Sequence, residues 1–216
     1  MTLPFKPRLD ILPAAQLLLW PELAEIPAEF TLYGGTAIAL HLGHRQSIDF
    51  DFFGTRAFQP QELLNSLPFL RDAQIQQQQS NTLTCLVNRG SPVKISFFGL
   101  PGFATLAEPL RTPDNGLKIA SLLDLAGTKA AVVQQRAEAK DYIDINALLS
   151  AGVTLEQALS AAATLYAPRF NPQLTLKALA YFEDGDVPSV PPAAKERLLR
   201  AVAATNLSNI TRLKTL

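Results

Sequence analysis

Hydrophobic and polar positions change their period along this chain, and the change separates an alternating strand-and-helix half from a helical one. A Leu-rich periodic run over residues 13–26 predicts a helix, bent at Trp20-Pro21 because proline removes a helical N–H. Phe30-Thr31-Leu32-Tyr33 predicts a strand stopped by Gly34-Gly35, and Thr36 is placed to cap a short helix over 37–42. Ile48-Asp49-Phe50-Asp51-Phe52-Phe53 alternates with period two, the pattern of a strand with one buried face. Residues 60–67 read as a helix, and 73–79, 82–88 and 92–98 as three strands joined by turns. Residues 99–117 are irregular and proline-bearing, the best candidate boundary. Beyond them, Ser121-x-x-Asp124 resembles a capping box before an apolar-periodic segment that reaches Arg136 or further. Residues 141–150 continue as a helix stopped at Ala151-Gly152, and Thr154-x-x-Gln157 opens another. Two more helices are predicted near 172–182 and 191–204.

Composition narrows the class. With 216 residues and 48% hydrophobic content, the chain has enough apolar surface to offset its ordering entropy, which excludes intrinsic disorder. Nineteen Lys+Arg balance nineteen Asp+Glu, so bulk basicity is not how this chain would grip nucleic acid. The last stretch, from Lys195 to Leu216, is basic, a pattern that fits a solvated helix face. The single cysteine, Cys85, cannot form an intramolecular disulfide, and no Cys/His spacing suits zinc. Prolines at 4 and 7 interrupt the amino terminus, and no apolar run reaches the roughly 18 residues of a membrane span. The expectation is a reduced, cytoplasmic protein with no membrane partner.

Asp49 and Asp51 are the strongest chemical signal. Two apart on a strand, their carboxylates share one face while Phe50 and Phe52 point to the other. Such carboxylates repel each other unless a cation intervenes, and oxygen ligands suit Mg²⁺ or Mn²⁺. A lone Asp-x-Asp more often sits on a solvated sheet edge with no ligand. Upstream, Gly34-Gly35-Thr36 stands at a strand-to-helix junction, where glycines let backbone N–H groups approach a phosphate and the helix terminus adds positive potential. Together the two features make a unit that would cradle a triphosphate beside its metal.

The stretch Tyr33-Gly34-Gly35-Thr36-Ala37-Ile38-Ala39-Leu40-His41-Leu42-Gly43-His44-Arg45-Gln46-Ser47-Ile48-Asp49-Phe50-Asp51-Phe52-Phe53 resembles the AbiEii/AbiGii toxin family of nucleotidyltransferases, within the DNA polymerase beta-like superfamily. A second block matches at Asp124-Leu125-Ala126-x-x-Lys129-Ala130-Ala131 and Arg136-x-x-x-Lys140-Asp141-x-x-Asp144. The resemblance covers residues 30 to 150. It implies an α+β fold: a polymerase beta-like core over 1–108, a mixed sheet flanked by helices, then a helical region over 109–216 completing the site. It implies a nucleoside triphosphate substrate, phosphates held by Gly34, Gly35 and Thr36 with Arg45 and Ser47, and metal held by Asp49 and Asp51. Lys129, with Arg136 or Lys140, would neutralise the leaving pyrophosphate, with Asp141 and Asp144 beside them. The acceptor implied is RNA, notably tRNA, or a protein, and a cognate antitoxin is implied as a partner.

Helix geometry bears on the second block independently. At about 100° per residue, Arg136 and Lys140 fall within about 20° of Lys129 on an unbroken helix, and Asp144 about 60° round. Three cations would then line one stripe, apt for a triphosphate, although an ordinary solvated face has the same spacing. One departure stands out. Polymerase beta-like enzymes commonly carry a third acid on a later strand; here that strand is Val93-Lys94-Ile95-Ser96-Phe97-Phe98, and Ser96 stands where the acid is expected. Three consequences remain open: catalysis with two carboxylates, substitution by an acid such as Glu108, or a catalytically impaired module that binds nucleotide or a partner. His41, His44, Cys85, Trp20, Tyr142 and Tyr166 read as packing or loop residues, Tyr142 also being placed to line the site.

Overall fold

Period-two alternation builds one mixed sheet. The computed structural model describes residues 5–216, in which the chain forms two compact units: residues 5–103 with Pro109–Ala120, and Ala104–Glu108 with Ser121–Leu216. The chain thus passes between the units more than once around 104–120.

The first unit holds the whole sheet: β1 (Phe30–Tyr33), β2 (Asp49–Gly54), β3 (Gln74–Gln79), β4 (Thr82–Asn88), β5 (Pro92–Gly99), β6 (Leu110–Arg111) and β7 (Lys118–Ile119). Their order is β3-β4-β5-β2-β1-β7-β6, with β2–β5 and β1–β7 parallel and the other pairs antiparallel. Three helices accompany it: α1 (Ala14–Leu19), α2 (Gly34–Leu42) and α3 (Pro60–Ser66). The run over 13–26 does change character at Trp20-Pro21, where α1 gives way to a 3-10 helix over Trp20–Glu25. One sheet face is the core. Phe50, Phe52, Ile95, Phe97, Leu83 and Cys85 are fully buried there, the Phe52 and Phe97 rings stacking at 5.3 Å. Each such phenylalanine contributes about 1.5–3 kcal/mol through burial alone. Burial also pushes the Cys85 thiol up to about 11, consistent with an inert core residue.

The second unit is helical: α4 (Leu122–Val132), α5 (Ala139–Ser150), α6 (Leu155–Leu165), α7 (Pro172–Leu179) and α8 (Pro192–Ala204). Helices α4 and α6 pack at close range, since a Cβ on Gly127 would stand 2.8 Å from that of Ala161. Capping behaves as the sequence predicts at Thr154, whose hydroxyl accepts the Gln157 N–H while the Gln157 side chain accepts the Thr154 N–H.

Three expectations need correction. The segment from Ser121 does not run as a helix to Arg136: α4 ends at Val132 and α5 starts at Ala139. No local breaker causes this; distant partners hold the intervening turn. Asp186 accepts the Ala139 N–H at 2.7 Å, and Gln134 donates to the Asn171 carbonyl and the Thr175 hydroxyl. The stripe of Lys129, Arg136 and Lys140 computed for an unbroken helix therefore does not form. Second, Thr36 is not a cap; α2 starts two residues earlier, at Gly34. Third, β6 lies inside the stretch expected to be irregular and β7 just beyond it, each too short for any periodicity to mark it. Among the described residues no single helix is long and apolar enough to cross a membrane.

Candidate active site

Strand β2 sets the acids. Its burial alternates strictly, with Phe50, Phe52 and Gly54 buried and Asp49, Asp51 and Phe53 partly exposed on the opposite face. In-register pairing then fixes their neighbours. Asp49 lies opposite Lys94 and Asp51 opposite Ser96 on β5, while Tyr33 lies opposite Asp51 on β1. Next along the second row, Thr84 of β4 lies opposite Ser96. Lys94 Nζ is 3.9 Å from Asp49 Oδ2, both side chains being partly exposed. Ser96 is buried beside Asp51, so the position expected for a third acid holds a hydroxyl in register.

The glycine pair is built against this row. Gly34 has φ +72°, and a Cβ there would stand 2.8 Å from Asp51 Oδ2. A Cβ on Gly35 would meet Arg45 Nη2, the far end of a flexible side chain, and come within 3.3 Å of Ser47 Oγ. The first turn of α2 is thus flanked by the Asp51 carboxylate on one side and the Arg45 guanidinium on the other. Arg45 also donates to the Gln46 carbonyl at 2.8 Å. Thr36 and Ser47 are buried, their hydroxyls 2.8 Å apart, and the Thr36 hydroxyl also meets the Asp49 carbonyl. A carbonyl only accepts, so Thr36 donates to it and Ser47 supplies the proton between the hydroxyls. That bridge ties the first turn of α2 to the start of β2 and holds the glycines and the acids in one place.

The second unit holds its own charged cluster. Lys129, on α4, is buried, with Nζ 2.5 Å from Asp141 Oδ1 and 2.7 Å from Asp144 Oδ2, both on α5 and fully buried. Arg136, in the turn between the helices, donates to Asp141 through Nε at 2.7 Å and Nη2 at 3.2 Å. Burial pushes the Asp141 carboxyl up, but the hydrogen bond from Arg136 and the charge of Lys129 outweigh it and hold it below the usual carboxylate range. Lys140 is exposed and pairs with Glu138 at 2.8 Å. Ser121 caps α4 by accepting the Asp124 N–H, as expected. The Asp124 carboxylate accepts the Ser121 hydroxyl and the N–H groups of Leu106 and Ala107, rather than the Ser121 N–H that a capping box requires. That link between residues 18 and 17 apart had no signal in the sequence.

Other candidates resolve into packing. His41 donates through Nε2 to the Ala120 carbonyl, and burial holds its pKa below the usual value. Tyr142 is buried and donates to the Ala178 carbonyl, and Trp20 donates to Asp114. Glu108 is exposed on the short 104–108 segment, outside the sheet. Among the described residues, no three His, Cys, Asp or Glu side chains gather as a metal site, so any cation on β2 has two carboxylates to bind. The pairing of Lys94 with Asp49 is not among the sequence expectations; the signal available is the equal two-residue spacing of Asp49/Asp51 and Lys94/Ser96.

The profile of the nucleotidyl transferase AbiEii toxin of type IV TA systems matches residues 21–208. An uncharacterized protein of Aquifex aeolicus (strain VF5) is 31% identical over 159 residues, 72% of this chain and 75% of that protein. Among solved structures, the nucleotidyltransferase toxin MenT4 of Mycobacterium tuberculosis H37Rv superposes with a TM-score of 0.59 at 17% identity, covering 90% of this chain and 84% of that one. A protein of H. pylori, provisionally described as a nucleotidyltransferase, gives 0.51 at 17% identity, covering 88% and 89%. At that identity the two structures speak to the fold, an α+β mixed sheet with helices.

Proposed function

This chain belongs to the nucleotidyl transferase AbiEii toxin family, and from that premise we propose that it moves a nucleotide from a nucleoside triphosphate to an acceptor hydroxyl, using a divalent cation bound by Asp49 and Asp51. The observation that carries this reading is the placement of both carboxylates on one face of β2, with Gly34 backed against Asp51. The donor set fits a hard cation: two carboxylates with exposed surface, and a glycine cradle that any Cβ would fill. Mg²⁺ or Mn²⁺ held there would supply charge neutralisation at the phosphate oxygens.

The chain's own residues account for the rest. The bare backbone of Gly34 and Gly35 lets a phosphate approach the amino terminus of α2, whose N–H groups favour an anion. Arg45, lying against Gly35, adds a guanidinium suited to phosphate oxygens. Thr36 and Ser47 keep this turn aligned with β2 through their shared hydrogen bonds. In the second unit, Lys129 is committed to Asp141 and Asp144, so Arg136 and Lys140 are the cations of that block with exposed surface. The acceptor hydroxyl attacks the α-phosphorus, the bond to the bridging oxygen breaks, and pyrophosphate leaves. RNA, notably tRNA, is the acceptor we assign, with protein as the other candidate; a cognate antitoxin would accompany the gene, and a triphosphate substrate fits the cytoplasm.

Ser96, in register with Asp51, favours a second reading: a catalytically impaired module that keeps nucleotide binding. Incubation with labelled triphosphates, Mg²⁺ and total RNA separates the two. Acceptor labelling by wild type that is lost in Asp49→Ala supports transfer. Binding of nucleotide without labelling supports the impaired module.

A further inference from the structure

The two acids of β2 do not face solvent alone. Parallel pairing of β2 with β5 puts Lys94 directly beside Asp49 and on the same side of the sheet, because Val93, Ile95 and Phe97 take the core face. Its ammonium reaches to 3.9 Å from Asp49 Oδ2. The next register position, beside Asp51, carries no charge: Ser96 is neutral and buried. Asp49, Asp51 and Lys94 sum to a single negative charge, and the Arg45 guanidinium against Gly35 adds a further positive charge beside them. One dication already exceeds the charge of that group, and a second would add two further positive charges with no third carboxylate among the described residues to meet them.

We infer that Lys94 is a positioning residue that acts as the resident counter-ion of Asp49, competing with the metal and taking the place of a second one, so that the sheet binds a single divalent cation. The inference rests on the reading of Asp49 and Asp51 as metal ligands. Competition sets its size: unit charges about 4 Å apart at an exposed site interact enough to change an affinity about fivefold. The lysine also orders the site before metal arrives, keeping the Asp49 carboxylate from pairing elsewhere.

Mn²⁺ titration of the full chain, without nucleotide and followed by electron paramagnetic resonance of the free ion, reads both number and affinity. One ion per wild-type chain is expected, with about fivefold tighter binding in Lys94→Gln and in Lys94→Met, and unchanged affinity in Lys94→Arg. Two ions per wild-type chain, or unaltered or weaker binding in both neutral variants, overturns the role of Lys94. Asp49→Ala keeps the outcomes apart: if it binds Mn²⁺ as well as wild type, the metal site itself is wrong, whereas loss of binding there with no response to Lys94 changes refutes only the counter-ion. Far-ultraviolet circular dichroism checks that each variant is folded.

Discussion

Gly34 backs onto Asp51 so closely that a Cβ at residue 34 would stand 2.8 Å from the carboxylate oxygen, in a backbone conformation of φ +72°. The glycine is thus required twice, once by its torsion and once by its neighbour. Gly34→Ala is expected to cost about 1–2 kcal/mol for the left-handed conformation, lowering Tm by about 2–8 °C in a chain of this size. Activity should fall further than stability, because relief of the contact moves Asp51. Gly35→Ala meets the far end of Arg45, which can swing aside, so its Tm should drop less while triphosphate affinity falls. Differential scanning calorimetry with nucleotide-binding titrations checks both.

Lys129 carries the stability of the second unit's polar centre. It sits between two fully buried aspartates, and removing it takes away the cation they share while Arg136 stays on Asp141. Lys129→Met is expected to destabilise by about 3–5 kcal/mol, since breaking a buried pair strands its partner. Adding Asp144→Asn should recover part of that loss. Urea unfolding of the single and double variants measures it, and full additivity of the two changes would contradict the direct pair.

Asp141 makes stability depend on pH in a definite direction. Its folded carboxyl is held below the ordinary range while the unfolded one titrates near about 3.9. The unfolded chain therefore binds more protons across that interval, and stability rises with pH there. The contribution is complete above the unfolded value and is lost as pH falls through the folded one. Urea midpoints collected between pH 6 and acid should decline more steeply in wild type than in Asp141→Asn. Equal slopes would remove Asp141 as the source.

How much of this was legible in the chain follows the physics of each element. Period two located β2 and its acids, because a half-buried strand must alternate, and Thr154-x-x-Gln157 and Ser121 declared their helix starts through local hydrogen bonds. Two-residue strands such as β6 have too few positions to alternate. The break after Val132 was invisible for a different reason: Gln134, Gln135 and Arg136 are good helix formers, and Asp186, Asn171 and Thr175 hold the turn from far along the chain. With the break goes the cation stripe, and Lys129 turns inward to Asp141 and Asp144. Residue type alone marks the Gly-Gly turn as a phosphate cradle; that Asp51 and Arg45 lie against it is a tertiary fact.

Ser96 marks where the site departs from three acids. Ser96→Asp would place a buried carboxylate beside Asp51, and without metal this should cost about 1–3 kcal/mol as an unpaired polar burial. Millimolar Mn²⁺ should restore the Tm of this variant by more than it raises that of wild type, because ligand binding to the folded state stabilises it. An equal metal response in both proteins would show that residue 96 does not face the cation.

The phosphorus that the acceptor attacks distinguishes nucleotidyl transfer from phosphoryl transfer. Parallel reactions with triphosphates labelled at the α- or the γ-phosphate, run with wild type and with Asp51→Ala, read this directly. Label reaching the acceptor from the α position alone, with γ label released as pyrophosphate and neither seen in Asp51→Ala, is the predicted result. Transfer of γ label to the acceptor, or α labelling that survives Asp51→Ala, would contradict it.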